Sequence, residues 1–316
     1  MSGERATPGG TEAGPGRGAA APLHRLPTGT RVGAVWLTVA DATRSVDFYR
    51  SVLGLEVLAE VNELITLGPP AGPALLHLHE IRGVQPVAPR SRLGLFHFAV
   101  LLPDRPSLGR FLRHASALGV PLGASDHLVS EALYLSDPDG LGIEVYADRP
   151  RAEWRWDGRQ VSMATEPPDS ASLLAAAGDE PWTSAPTGTV MGHVHLHVGD
   201  LDRAREFYHG GVGFDLTSWS YPGALFLSAG GYHHHLGVNT WASPARPRAG
   251  QAALALWEVV VPTLRDMHAA VDGLDALGEG GVLQGERWLG SDPWGTQLAI
   301  RAEDASDVVV RGASGA

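Results

Sequence analysis

GAVWLTVADATRSVDFYRSVLG, residues 33–54, reappears without a gap as GHVHLHVGDLDRAREFYHGGVG, residues 192–213. Asp41 falls on Asp200, Phe48 and Tyr49 on Phe207 and Tyr208, and Gly54 on Gly213. Each copy reads as a strand of alternating residues, an Asp placed to cap a helix, a helix that buries its Val, Phe and Tyr side, and a Gly stop. A second pair of segments stands behind the first. LFHFAVLLP (95–103) matches ALALWEVVVP (253–262) at the strand, a helical pattern follows each, and each half closes with a turn and strand, DPDGLGIEVY (137–146) and DPWGTQLAI (292–300). Four βαβββ modules in two halves account for the length, and they predict an α+β fold of paired, cupped mixed β-sheets.

A chain of 316 residues has length for two domains. We read residues 1–30 as a disordered tail, since they hold seven Gly and four Pro, no apolar periodicity and no signal-peptide pattern, which points to the cytoplasm. Modules 1 and 2 then occupy residues 31–150, modules 3 and 4 residues 187–302, and residues 303–316 form a C-terminal tail. Residues 151–186, with Trp154, Trp156, Trp182 and four Pro, read as an ordered connecting arm. Such arms pack against neighbouring subunits, so a homo-oligomer is an expectation too. No apolar run is long enough for a membrane span. With 24 Lys+Arg against 35 Asp+Glu, a net charge of -11 leaves no basic face for nucleic acid. The absence of Cys excludes disulfides, thiolate nucleophiles and zinc fingers, so any metal must be held by His, Asp and Glu.

The 14 His are clustered. His193, His195 and His197 alternate on one strand and share a face. His233, His234 and His235 form a run, and His97 stands seven residues before Asp104 as His193 stands before Asp200. Glu144 lies within the apolar strand GIEVY, where an unpaired carboxylate is too costly to bury. No Lys or Arg is adjacent in the strand, so a metal is the economical partner.

The segment HLVSEALYLSDPDGLGIE (127–144) resembles the signature of the extradiol dioxygenases of the vicinal oxygen chelate superfamily, which is built from paired βαβββ modules. SEALYLSDPDG, GHVHLHV and SAGGYHHHLGVNTW are most similar to its four-module catechol 2,3-dioxygenase branch. The resemblance covers nearly all of residues 31–302 and departs from the pattern at Ser125 and Leu141, neither a ligand position. It implies two vicinal-oxygen-chelate domains and a metal held by His97 and Glu144 with a second His from a partner module. Module 1 has Ala34 at that position, while module 4 has Leu256 and Ala299 where module 2 has His97 and Glu144. Module 3 keeps His193. The triad His97, Glu144 and His193 therefore closes if modules 2 and 3 share one cup, with modules 1 and 4 forming a vacant companion cup. The alternative is conventional pairing with His77 as an improvised ligand.

Two His and a carboxylate suit Fe(II), with Mn(II) accepting the same set. The implied partners are a small aromatic diol and O2, with His234 as base, His127 and Tyr134 hydrogen-bonding the substrate oxygens, and His195 lining the cup or merely structural. Loops around Trp219, Tyr221 and Trp241 would set the ring substituents accepted. Two other readings use the same fold: a glyoxalase-type isomerase or lyase, and a metal-free binding protein. Glyoxalases take a fourth ligand, a Glu, from the last module strand, whereas module 3 offers HHHLGVNTW.

Overall fold

The computed structural model describes residues 21–303. Module 1 comprises β1 (Arg31–Val39), α1 (Ala42–Ser51), β2 (Glu56–Val61), β3 (Leu64–Gly68) and β4 (Leu76–Glu80). Module 2 comprises β5 (Gly94–Leu101), α2 (Arg105–Ala117), β6 (Gly123–Asp126), β7 (Ser130–Ser136) and β8 (Gly142–Asp148). The arm carries β9 (Trp156–Asp157), β10 (Gln160–Val161) and α3 (Ser170–Ala176). Module 3 follows as β11 (Val190–His197), α4 (Leu201–Arg205), β12 (Asp215–Ser218), β13 (Ala224–Ser228) and β14 (Leu236–Asn239). Module 4 is β15 (Ala253–Val261), α5 (Leu264–Ala276), β16 (Gly281–Gln284), β17 (Arg287–Ser291) and β18 (Gln297–Ala302).

The two large sheets interleave the halves. One runs β12-β13-β14-β11-β5-β8-β7-β6 and joins modules 3 and 2; the other runs β16-β17-β18-β15-β1-β4-β3-β2 and joins modules 4 and 1. The seam of the first is the antiparallel pair β11 and β5, with His195 opposite His97. A division at the arm is thus a division of the sequence, not of the sheets.

Strand period 2 sorts the side chains. On β11 the three His face the cup, while Val194, Leu196 and Val198 enter an apolar core that runs through both sheets. On β5 His97 and Ala99 face the cup while Phe98 and Val100 enter that core. The Asp caps form as the repeat predicts: the side chains of Asp41, Asp104 and Asp200 accept from the N–H groups of Arg44, Ser107 and Arg203. Gly54 and Gly213 take left-handed φ of 69° and 98° beyond their helices. The repeated Tyr anchors helix to turn: Tyr49 donates to Asp137 and Tyr208 to Asp292, both at 3.0 Å. Burial raises both carboxyls, Asp137 to about 6.

Two expectations change. The expected tail extended to residue 30, but among its described residues Leu26 is buried and its N–H donates to the Gly213 carbonyl. Residues 1–20 and 304–316 lie outside the described residues. The expected vacant companion cup is also filled. Buried Glu258 sits opposite Ala299, the counterpart of Glu144, and pairs with Arg287 at 2.6 Å and Arg301 at 3.3 Å. Its carboxylate lies where a Cβ at Gly33, the counterpart of Gly192, would stand only 2.6 Å from Oε2.

Candidate metal centre

A single row of the sheet builds the site. His193 on β11, Ala99 on β5, Glu144 on β8 and Tyr134 on β7 are successive cross-strand partners. His97 lies two residues before Ala99, on the same face. Nε2 of His97 is 3.0 Å from Oε2 of Glu144, Nε2 of His193 is 3.3 Å from that oxygen, and the two nitrogens are 3.4 Å apart. All three residues are buried. β11 bulges between Met191 and His193, where a Cβ at Gly192 would fall 1.9 Å from the Tyr146 hydroxyl oxygen. Glycine is required there because the Tyr146 side chain, reaching over from β8, fills the space a Cβ would take.

The protonation states suit cation binding. Burial alone would raise the Glu144 carboxyl, but His193 and His97 outweigh it and hold it well below the usual range. Burial drives the His193 imidazole down to about 4 against the pull of Glu144. Neutral imidazole beside ionised carboxylate is the state a metal needs. Donors held at about 2.1 Å and right angles around one ion stand about 3.0 Å apart, so the observed triangle fits a divalent cation.

His97 and Glu144 of the triad border a cavity of about 720 Å³ whose lining includes Phe96, Tyr221, Phe226 and Trp241, within the range of small-molecule sites. His127 Nδ1 donates to the Ala164 carbonyl at 2.7 Å, so in the neutral ring Nε2 accepts from the Tyr134 hydroxyl at 2.6 Å. Burial and the nearby Glu144 raise the Tyr134 phenol well above its usual range, leaving it a neutral donor. His234 lines the cavity with its ring centroid 4.1 Å from that of His193. Its Nδ1 is 2.7 Å from His233 Nδ1, and His233 Nε2 donates to Asp148 at 2.8 Å. When His233 Nδ1 accepts from His234 Nδ1–H, His234 Nε2 is left unprotonated, and burial holds the His234 imidazole well below its usual range. His195 also lines the cavity: its Nε2 accepts from Asn239 Nδ2 at 2.9 Å, while Asn239 Oδ1 accepts from His197 Nδ1 at 2.6 Å.

The structure thus brings together His97, Glu144, His193, His127, Tyr134, His234 and His195. It separates His77, which lies on the other sheet, stacked on Trp36 at 4.2 Å with Nδ1 3.0 Å from the Thr66 hydroxyl. Tyr221 and Trp241 line the cavity, while Trp219 packs against the core. Sequence reasoning missed His233 with Asp148, and Asn239, whose contacts span many residues. It also missed the part of the arm, Met163 to Thr165, that walls the cavity. The unusual Trp and Pro content of that arm was the available signal.

The imidazole cluster makes folding sensitive to acid. His235 Nδ1 accepts from Ser228 Oγ at 3.0 Å and Ala229 N–H at 3.2 Å, and burial, with lesser help from neighbouring His, pushes the ring down to about 3. The unfolded ring titrates near 6.5, so between these values the unfolded chain holds the extra proton. Stability from this residue is full above pH 6.5 and falls by about 2 kcal/mol on going from pH 6.5 to 5. Urea midpoints measured across that window are expected to fall less steeply in His235→Gln than in the parent chain; equal slopes would remove His235 as a cause.

Two curled eight-stranded sheets with a candidate metal centre define the class of fold, and similarity to known proteins identifies the family. Residues 31–145 and 190–310 match the model of the Glyoxalase/Bleomycin resistance protein/Dioxygenase superfamily, and the chain belongs to that superfamily. It is 46% identical over 256 residues to a catechol-2,3-dioxygenase of Bacillus subtilis (strain 168), covering 79% of this chain and 89% of the relative. Among solved structures, glyoxalase I from Zea mays shares the fold with a TM-score of 0.54 at 18% identity, over 86% of this chain and 92% of that one. The cppA protein from Streptococcus pneumoniae TIGR4 does so with a TM-score of 0.51 at 14% identity, over 86% and 98%. Among the described residues no helix is long and apolar enough to cross a membrane.

Proposed function

We propose that the protein is an Fe(II)-dependent extradiol dioxygenase that opens a catechol-like ring with O2, acting in the cytoplasm in aromatic catabolism. The convergence of His97, Glu144 and His193, two of them in the wall of an aromatic-lined cavity, carries this reading, and the 46% identity to a catechol-2,3-dioxygenase supports it. His97, Glu144 and His193 would hold Fe(II), which would supply the redox chemistry that activates O2 beside a bound diol. Mn(II) is the alternative occupant.

The chain's own residues prepare and guide the substrate. His234 Nε2, held unprotonated by the His233 and Asp148 contacts, takes a proton from a substrate hydroxyl. Tyr134 and His127, sharing one hydrogen bond, orient the diol oxygens. The aromatic walls and the arm exclude bulk water. The arm also supplies a surface for self-association, with Trp156 47% exposed.

An isomerase or lyase of glyoxalase type would need a fourth ligand from β14. The residue on β14 in register with His195, as Glu144 is with Ala99, is Gly237. A Cβ there would stand 2.8 Å from the His195 ring. His195 occupies the space a fourth carboxylate would need, which favours ring cleavage.

Anaerobic reconstitution with Fe(II), then catechol and air, tests the proposal. A yellow ring-opened product with one O2 consumed per diol is expected. Stoichiometric metal without oxygen uptake on any catechol would move the reading to an isomerase or lyase, and no metal at all would leave a binding protein.

A further inference from the structure

We propose that the cavity selects catechols carrying an anionic side chain, and that Arg90 is the residue that selects them; this rests on the ring-cleavage reading above. Arg90 is the only Lys or Arg among the residues lining the cavity. Arg90 is exposed at the cavity's edge, no hydrogen bond or ion pair engages its guanidinium among the described residues, and Glu144 is the only carboxylate in the lining. A cation free of protein partners beside an aromatic and imidazole-lined space is a receptor for a carboxylate, which its planar fork binds in bidentate fashion.

The backbone presents Arg90 deliberately. Its φ of 54° is left-handed, uncommon for a residue other than glycine. The loop is tied down on both sides: the Arg90 carbonyl accepts from Ser243 N–H at 3.0 Å, Leu93 N–H donates to Ala245 at 2.8 Å, and Arg92 donates to Gln251 at 2.9 Å. Those partners follow Trp241, itself in the cavity wall, so loop and wall move as one. Arg90 also borders a second cavity of about 640 Å³, which shares Phe96, His97 and Tyr134 with the first. A substituted ring therefore has space beyond that of catechol itself. In a chain of net charge -11, a cation at this mouth also offsets the repulsion an acid would meet.

The Fe(II)-loaded full chain is assayed with 3,4-dihydroxyphenylacetate and with 4-methylcatechol, which differ by the carboxylate. The parent protein is expected to prefer the acid. Arg90→Gln is expected to raise KM for the acid about 10–100-fold more than for 4-methylcatechol, with kcat for the acid little changed, and Arg90→Lys to recover part of the loss. Anaerobic titrations of the same two diols, followed by Trp fluorescence, give the readout independent of turnover: salt should weaken binding of the acid alone, and only while Arg90 is present. No preference for the acid, or equal losses on both diols, would overturn the inference. Arg90-dependent binding of the acid without cleavage of either ring would support it and sink the ring-cleavage reading instead.

Discussion

Glu144→Gln is expected to yield a folded chain that retains almost no metal and loses about three orders of magnitude or more in ring-opening rate, since even residues supporting a ligand cost 10–100-fold. The physical reason is local. Glutamine keeps the shape of the side chain and an acceptor oxygen for His97 and His193 but removes the charge that fixes a divalent cation. Because burial holds the His193 imidazole neutral when the ion is absent, the substitution orphans no charge on it. The melting temperature of the metal-free variant should therefore match that of the metal-free parent. Metal content by elemental analysis, together with oxygen uptake, checks the result; a variant that still binds stoichiometric metal and turns over would remove Glu144 from the site.

Glu258→Gln is expected to do the reverse. Glu258 is 1% exposed and pairs with two guanidinium groups, so neutralising it removes a counter-charge that the buried Arg287 and the half-buried Arg301 share. Breaking a buried pair in this way costs about 3–5 kcal/mol, which lowers the melting temperature on the order of 5–10 °C. Metal content and turnover of the folded fraction should be retained, since the triad lies on the other sheet. The same substitution at equivalent depth thus separates chemistry from stability. Thermal denaturation with and without added Fe(II) distinguishes the two, and an unchanged melting temperature in Glu258→Gln would show that the cluster contributes nothing net.

Much of this was legible in the sequence because repeats and strand alternation carry information over long distances. The gapless match of residues 33–54 to 192–213 exposed the modules. The absence of ligands at Ala34, Leu256 and Ala299 favoured the interleaved pairing that the sheets show. The contents of the companion cup were missed although the same rule applied: a Glu inside the apolar run LWEVVV needs a partner as much as the Glu of GIEVY. There the partners are arginines on β17 and on neighbouring β18, which no single-strand pattern reveals. Asp148 and His233 meet across 85 residues, and Arg90 belongs to a loop whose composition looks like any other turn. Their roles depend on tertiary approach, which periodicity does not encode.

The interleaving of the sheets also dictates when the protein can become itself during synthesis. β5 pairs with β8 on one side, but its other edge has no partner until β11 has left the ribosome, and the free edge of β1, beside β4, must wait longer still, for β15. A nascent first half therefore presents two unpaired strand edges, the kind of surface that templates aggregation and that chaperones shield. The candidate metal centre, drawing His97, Glu144 and His193 from both sides of the arm, cannot exist in any amino-terminal fragment that stops short of residue 193.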